Sequence, residues 1–462
     1  MRCIFANHSM SESSEKPELK TLTYPCYGLA SLGKVAVEVT IQLYLFDFYT
    51  RILGLNPILA GTAFAIAILW DAISDVVISA GLFKLRERGV TYTAVLWSGG
   101  VLLAFTTILL FSPFDRDSNL YLFLHLLIAY VLVNTGMTLL DLPQTSMSAE
   151  LSDKAAERNK LLASRMGFGI LGLAVGSALP GLLLDQSGDN LPQTVLADAR
   201  VESAWVLAGV VLLTASLTAV FLFRPEKAAQ SPKPPKIPSW AEIKSVFRDR
   251  PFRKILLAGV VAAVGRTINA ALALMYYRFV LKLSEEDVTR IILPVFTLSI
   301  ILSIPLWIFL SKRFGKKKPA YIAVAGLGIM GIIAYPILPE GLLWPVLGIS
   351  ILGGFLSGAV FLVDSMITDL IDKDEARTGH RKESLFFAIW KSGLKIARAM
   401  AFVVIGFGLE FAGLDLAREK VSEGVEIAII LLFGIAVGLC FVVAGWFIQQ
   451  AEVPEPADGR SA

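Results

Sequence analysis

The chain has 462 residues, 55% of them hydrophobic, a formal net charge of +3 and a mean hydropathy of +0.65. That balance excludes an ordinary soluble domain, and apolar runs long enough to cross a bilayer recur along the whole length, so the expected class is a polytopic helical membrane protein. The three cysteines and three histidines are scattered, and no P-loop, nucleophile elbow or paired-cysteine motif occurs. Those absences argue against a nucleotide-driven pump, an enzyme or a bound cofactor, and no nucleic-acid partner is expected.

Residues 1–23 are polar and lack the order of a signal peptide, so a disordered cytoplasmic tail is expected. Twelve spans follow, at 25–50, 57–83, 91–111, 119–143, 161–184, 202–223, 254–281, 289–311, 319–338, 342–370, 384–411 and 424–448. Lys and Arg concentrate in alternate loops, including Lys84 to Arg88 and Lys312 to Lys318, which places both termini in the cytoplasm and, in a bacterium, the chain in the inner membrane.

The first span carries Lys34 and Glu38, four apart on one helical face, as either a structural ion pair or a coupling device in which Lys34 also reaches Asp71 or Asp75. Asp47, near its far end, reads as a gate or structural residue. The second span carries Trp70-Asp71-Ala72-Ile73-Ser74-Asp75. Two carboxylates one turn apart at mid-membrane depth repel each other, and a bound cation relieves both the repulsion and the burial. In the fourth span Thr138 and Asp141 stand three apart, with Pro143 freeing a backbone carbonyl nearby. Thr138 and the weaker candidate Ser74 either ligate a cation through oxygen or bond their own backbone. Arg165, one turn into the fifth span, forks onto Asp141 or a solute, or snorkels to the interface.

The central segment 224–253 divides the spans six and six. It contains the extended run Ser231 to Pro238, and then Trp240, Ile243 and Phe247 on one face of a short interfacial helix. In the seventh span Arg266 and Asn269 are expected to line a cavity, and Tyr276 and Tyr277 either to form an interfacial aromatic belt, the favoured reading, or to stack on a sugar. In the eleventh, Lys391, Lys395 and Arg398 make one face cationic, so that face must turn inward toward the acids of the first half. The basic loops are expected to pair with Glu150, Asp369 and Asp372.

The halves also repeat. Ser146 to Lys154 resembles Ser365 to Lys373, and Arg158 and Arg377 continue the same offset of 219 positions. The expected fold is an all-α membrane protein of twelve transmembrane helices in two pseudo-symmetric six-helix bundles, the major facilitator fold. The bundles span 24–223 and 254–449, with a cytoplasmic tail at 450–462.

Several motifs resemble those of the glycoside–pentoside–hexuronide cation symporters, the melibiose-carrier branch of the major facilitator superfamily. They are Tyr27-Gly28 to Gly33-Lys34, the W-D-A-x-x-D of Trp70 to Asp75, Asp141-Leu142-Pro143 with Glu150-Leu151 and Arg158, Arg165-Met166, Arg313 to Lys317, and Ser384 to Trp390 with Lys395. The resemblance runs from about Tyr24 to Ala401. It implies symport of a small solute, most simply a sugar or glycoside, with Na⁺ or H⁺. The family's cation site would fall on Asp71, Asp75, Ser74 and Thr138, with Asp71 and Asp75 holding Na⁺ if that is the ion. Its substrate site would fall on Lys34, Asp141, Arg165 and Lys395; read from their own positions, Glu38, Arg266 and Lys391 are assigned to coupling and gating. Val35 stands where the sugar carriers often have an acid, and Thr145 where galactoside carriers have an aromatic residue. Both departures favour the alternative, a lysolipid or other amphiphile. The chain is expected to act as a monomer in the bilayer.

Overall fold

A computed structural model describes residues 19–115, 118–152, 154–184, 192–223, 239–380, 382–413 and 422–453. The tail before residue 19, the run Ser231 to Pro238 and the end after residue 453 lie outside the described residues. Within the described residues every regular element is helical. The rods are α1 (23–52), α2 (Pro57–Glu87), α3 (Tyr92–Phe111), α4 (Asn119–Leu151), α5 (Ala155–Leu182) and α6 (Gln193–Phe221), then a short α7 (Trp240–Arg248). The second series is α8 (Arg250–Val280), α9 (Asp287–Phe314), α10 (Lys317–Ile337), α11 (Leu343–Thr378), α12 (Glu383–Phe411) and α13 (Glu423–Gln450).

Local chemistry sets many of the boundaries. Asn56 caps α2 by accepting from the Ile58 and Leu59 amides, with Pro57 at the first turn where a missing N–H costs nothing. Ser239 and Glu242 form a reciprocal capping box on α7. Helix α4 runs to Leu151 and α11 to Thr378, both past the ends of their apolar stretches. Pro143 does not stop α4, and the polar turns beyond it stay helical against neighbouring ends.

Among the described residues ten rods are long and apolar enough to cross a membrane. The two long rods that fall short, α1 and α12, are those bearing Lys34 and Glu38, and Lys391, Lys395 and Arg398. Both are sheltered: α1 packs along α5 and α6, and α12 along α2 and α8. A charged helix is tolerated in a bilayer when its neighbours or a wet cavity, not lipid, meet the charges.

The packing itself repeats. In the first half α1 lies on α5 and α6, α2 on α4, and α3 on α4 and α6. The second half repeats each contact six spans later: α8 on α12 and α13, α9 on α11, and α10 on α11 and α13. The loop cations follow the same rule. Arg86 pairs with Glu150 at 3.2 Å and Lys316 with Asp369 at 2.6 Å, as the basic loops led us to expect.

The halves meet where α2 packs on α12, α5 on α9 and α1 on α8. On the face opposite α7 they are tied by a buried charge cluster. Arg51 holds Asp47 at 2.6 Å and Glu285 of the second half at 3.1 Å, while Arg200 holds Glu285 at 2.7 Å. Asn56 donates to Glu410 at 2.8 Å, and Arg290 donates to the Gly181 and Leu184 carbonyls. Arg200 and Glu285 were not singled out from sequence; they sit near loop ends, where charges are ordinarily solvated.

Between α2 and α12 the backbones nearly touch. A Cβ on Gly61 would collide with the Phe402 carbonyl, and one on Gly406 would lie 2.6 Å from the Pro57 carbonyl. Phe64 stacks on Phe402 just inside, with ring centroids 4.2 Å apart. Gly61→Val is expected to force the halves apart here at a cost of about 1–3 kcal/mol, lowering the melting temperature by roughly 5 °C. An unchanged thermal melt of the purified variant would show that the contact has slack.

Candidate functional site

Asp71 and Asp75 sit at the middle of α2 and face α4 and α12. The Thr138 hydroxyl lies 3.0 Å from Asp75 Oδ1 and 3.3 Å from Asp71 Oδ1. With one proton it donates to one carboxylate at a time. Lys395 Nζ lies 2.5 Å from Asp75 Oδ2, 2.9 Å from Asp71 Oδ2 and 3.1 Å from the Asp71 carbonyl oxygen. One ammonium is thus held in a cradle of oxygens, the donor set that a hard monovalent cation also prefers. With both acids ionised, two carboxylates and one ammonium leave a unit of negative charge. The acids belong to the first half and Lys395 to the second, so this ion pair ties the halves at mid-depth.

A second cluster centres on Asp141. Its Oδ1 receives Lys34 Nζ at 2.6 Å and an Arg165 N–H at 2.7 Å, and Arg165 also donates to the Thr145 hydroxyl at 2.6 Å. Arg165 reaches Asp141 as one of the sequence alternatives had it, but through a single N–H; its second nitrogen goes to the Thr145 hydroxyl, so the guanidinium bridges two acceptors and does not fork onto the carboxylate.

Two expectations change, those for Lys34 and for the tyrosine pair, and the alternative left open for Ser74 is decided against a ligand role. Lys34 pairs with Asp141, not with Asp71 or Asp75, and the lysine on the paired acids is Lys395. Spacing along one helix cannot tell which of two inward lysines reaches an acid on a third helix; the packing of α12 on α2 decides it. The Ser74 hydroxyl donates to the Asp71 backbone carbonyl at 3.1 Å and its side chain is buried, so it turns away from the carboxylates. Tyr276 and Tyr277 are not an interfacial belt. Tyr276 is fully buried, stacks on Phe433 at 4.2 Å and donates to the Tyr335 carbonyl, and Tyr277 lines an internal chamber. Glu38 stays near Lys34 at 4.0 Å and accepts from Gln42.

The acids open on a cavity of about 300 Å³, lined also by Lys34, Glu38, Asp141, Lys391 and Arg398. A second chamber of about 340 Å³ lies mainly within the second half and is largely apolar, with Leu293, Phe296, Ile300, Met330, Phe433 and Phe441 in its wall and Arg266 and Asn269 at its polar edge. A connecting space of about 280 Å³ shares Glu38, Tyr130 and Arg398 with the first and Arg266 and Ala270 with the second. The cationic face of α12 and the Arg266–Asn269 turn of α8 therefore look inward, as their spacing led us to expect. Among the described residues no group of three or more His, Cys, Asp and Glu gathers as a metal site.

Two six-helix halves around a charged central cavity define a membrane transporter of the major facilitator fold. A family model described as MFS/sugar transport protein matches residues 26–454, and the chain belongs to that family. It is therefore a multi-pass integral membrane transporter and not an enzyme. It is 22% identical to an uncharacterized symporter, YjmB, of Bacillus subtilis over 98% of this chain and 97% of that one. It is 21% identical to sodium-dependent lysophosphatidylcholine symporter 1 of Mus musculus, over 92% of this chain and 84% of that one. The crystal structure of the nucleoside transporter NupG superposes with a TM-score of 0.64 at 13% identity, covering 94% of this chain and all of that one, a likeness of fold alone.

Proposed function

We propose that the chain is a symporter that couples a monovalent cation, Na⁺ or H⁺, to the uptake of an amphiphilic solute. The observation that carries the reading is Lys395 seated between Asp71 and Asp75 across the two halves. A cation competing for those oxygens releases Lys395 and, in the same event, unties the halves. Thr138 supplies a neutral oxygen to the ion, and the Asp71–Asp75 pair takes either Na⁺ or one shared proton. Alternating access then follows as rocking of one half against the other. Linkage requires that cation and solute raise each other's affinity.

The solute assignment rests on the joined cavities. A polar, charged compartment opens into an apolar chamber, a shape that accepts a molecule with one polar and one apolar end. The relative named for lysophosphatidylcholine agrees with this. A glycoside is the second reading, favoured by the Lys34–Asp141–Arg165 cluster, whose donors and acceptor suit hydroxyl groups. With the Lys- and Arg-rich loops taken as cytoplasmic, α7 lies on that side and the face tied by Arg51 and Glu285 is the outer one. On α7, Trp240 and Phe247 remain exposed for the membrane surface while Val246 packs inward.

The test is uptake by proteoliposomes under imposed Na⁺ or H⁺ gradients, against a matched K⁺ control. The panel would hold a labelled lysophospholipid and labelled galactosides. Gradient-dependent lysophospholipid accumulation is expected. Galactoside accumulation in its place would move the assignment to the second reading, and gradient-independent equilibration of every solute would overturn symport.

A further inference from the structure

Arg266 on α8 and Arg398 on α12 line the connecting space together, at the junction of the charged cavity and the apolar chamber. Neither guanidinium forms a salt bridge among the described residues. Each acid near them also has another partner, and Glu38 lines the same space. Asp364, which faces Arg266, accepts the Trp390 indole N–H at 3.0 Å. Asp71, the acid toward Arg398, holds Lys395 and Thr138, and Glu38 lies beside Lys34 and Gln42. Arg398 shares the wall of this space with Tyr130.

Two guanidiniums at mid-membrane depth are costly unless an anion or water meets them. Each has five N–H donors in a planar fork that matches two oxygens of an oxyanion. Like charges facing one space also repel, and an anion between them turns that repulsion into attraction.

We propose that Arg266 and Arg398 form an oxyanion subsite, which takes the phosphate, sulfonate or carboxylate of a solute whose apolar part fills the adjoining chamber. It rests on the amphiphile reading above for the second clause only. The Asp71–Asp75 cradle and this subsite are then separate sites of opposite charge preference in one continuous space. An anionic solute also balances the positive charge that enters with the cation.

The test uses the full chain in nanodiscs and reads thermal stabilisation by three probes: 1-oleoyl lysophosphatidate, 1-monooleoylglycerol and glycerol 3-phosphate. Lysophosphatidate is expected to act at about 10-fold lower concentration than monooleoylglycerol, the size of one charge-assisted hydrogen bond. The double variant Arg266→Gln/Arg398→Gln is expected to lose that preference while its response to monooleoylglycerol stays. Arg266→Lys is expected to keep part of it. A response to glycerol 3-phosphate that the double variant loses would retain the subsite for free oxyanions and remove the apolar chamber from the proposal. Equal potency of the two lipids, or a preference that survives in the double variant, would overturn it. A Na⁺-induced stabilisation, measured in the same samples, reports separately on the cation site. Its absence from the parent chain, with charge preference intact, would defeat Na⁺ coupling and leave the subsite standing. Its presence in the double variant shows that the variant is folded.

Discussion

Asp75→Asn is expected to lower gradient-driven uptake by roughly 10- to 100-fold, the scale of losing one charged ligand to a bound cation at a half-exposed site. Asn keeps the size of the side chain, and its carbonyl still accepts from Thr138, so the packing of α2 on α4 survives. What disappears is the charge that holds a cation and competes for Lys395, which sits 2.5 Å from Asp75 and 2.9 Å from Asp71. Lys395 keeps Asp71 as its partner, so the halves stay tied while the cation loses half of its cradle. Full gradient-dependent uptake by the Asn variant would sink the site. Lys395→Ala is the complementary case. Two carboxylates then face each other with no ammonium between them, so the cation is expected to bind more tightly while maximal uptake falls. A measured fall in cation affinity would show that Lys395 supports the ion and does not compete with it.

Glu285→Gln is expected to favour opening of the face opposite α7. Glu285 is buried and is shared by Arg51 of α1 and Arg200 of α6, both in the other half. Neutralising it leaves two buried guanidiniums with Asp47 as the remaining close carboxylate, which holds Arg51 alone. Removing a partner from such a cluster costs about 3–5 kcal/mol. That cost falls on the conformation in which the cluster is closed, so a conformation that wets the arginines gains population. The measurement is the rate at which a membrane-impermeant thiol reagent, added from outside, labels Gln42→Cys at the central cavity of a chain whose native cysteines have been replaced. Faster labelling in the Glu285→Gln background is expected. An unchanged rate in a variant that melts normally would make the cluster a structural clamp and not a gate.

The class of molecule, the number of spans and the repeat were legible in the sequence because each rests on local or periodic information. Bilayer thickness sets the length of an apolar run, and the 219-residue offset between Glu150 and Asp369 places like residues at like helix ends. The inward direction of Asp71, Asp75, Lys395 and Arg266 was equally accessible, because lipid excludes charge and leaves the interior as the place for it. Tertiary structure alone decided who meets whom. Lys34 and Lys395 are alike in type and depth, yet the close α2–α12 contact through Gly61 and Gly406 brings Lys395 to the paired acids, and the α1–α5 packing leaves Lys34 with Asp141. Glu285 and Arg200 read as ordinary loop-end charges until packing buries them together. Tyr276 and Tyr277 have the composition of an interfacial belt, and the ring of Phe433 from a distant helix turns them inward. Ion pairs and ring stacks depend on the three-dimensional positions of whole helices, and that information is absent from the spacing along any one of them.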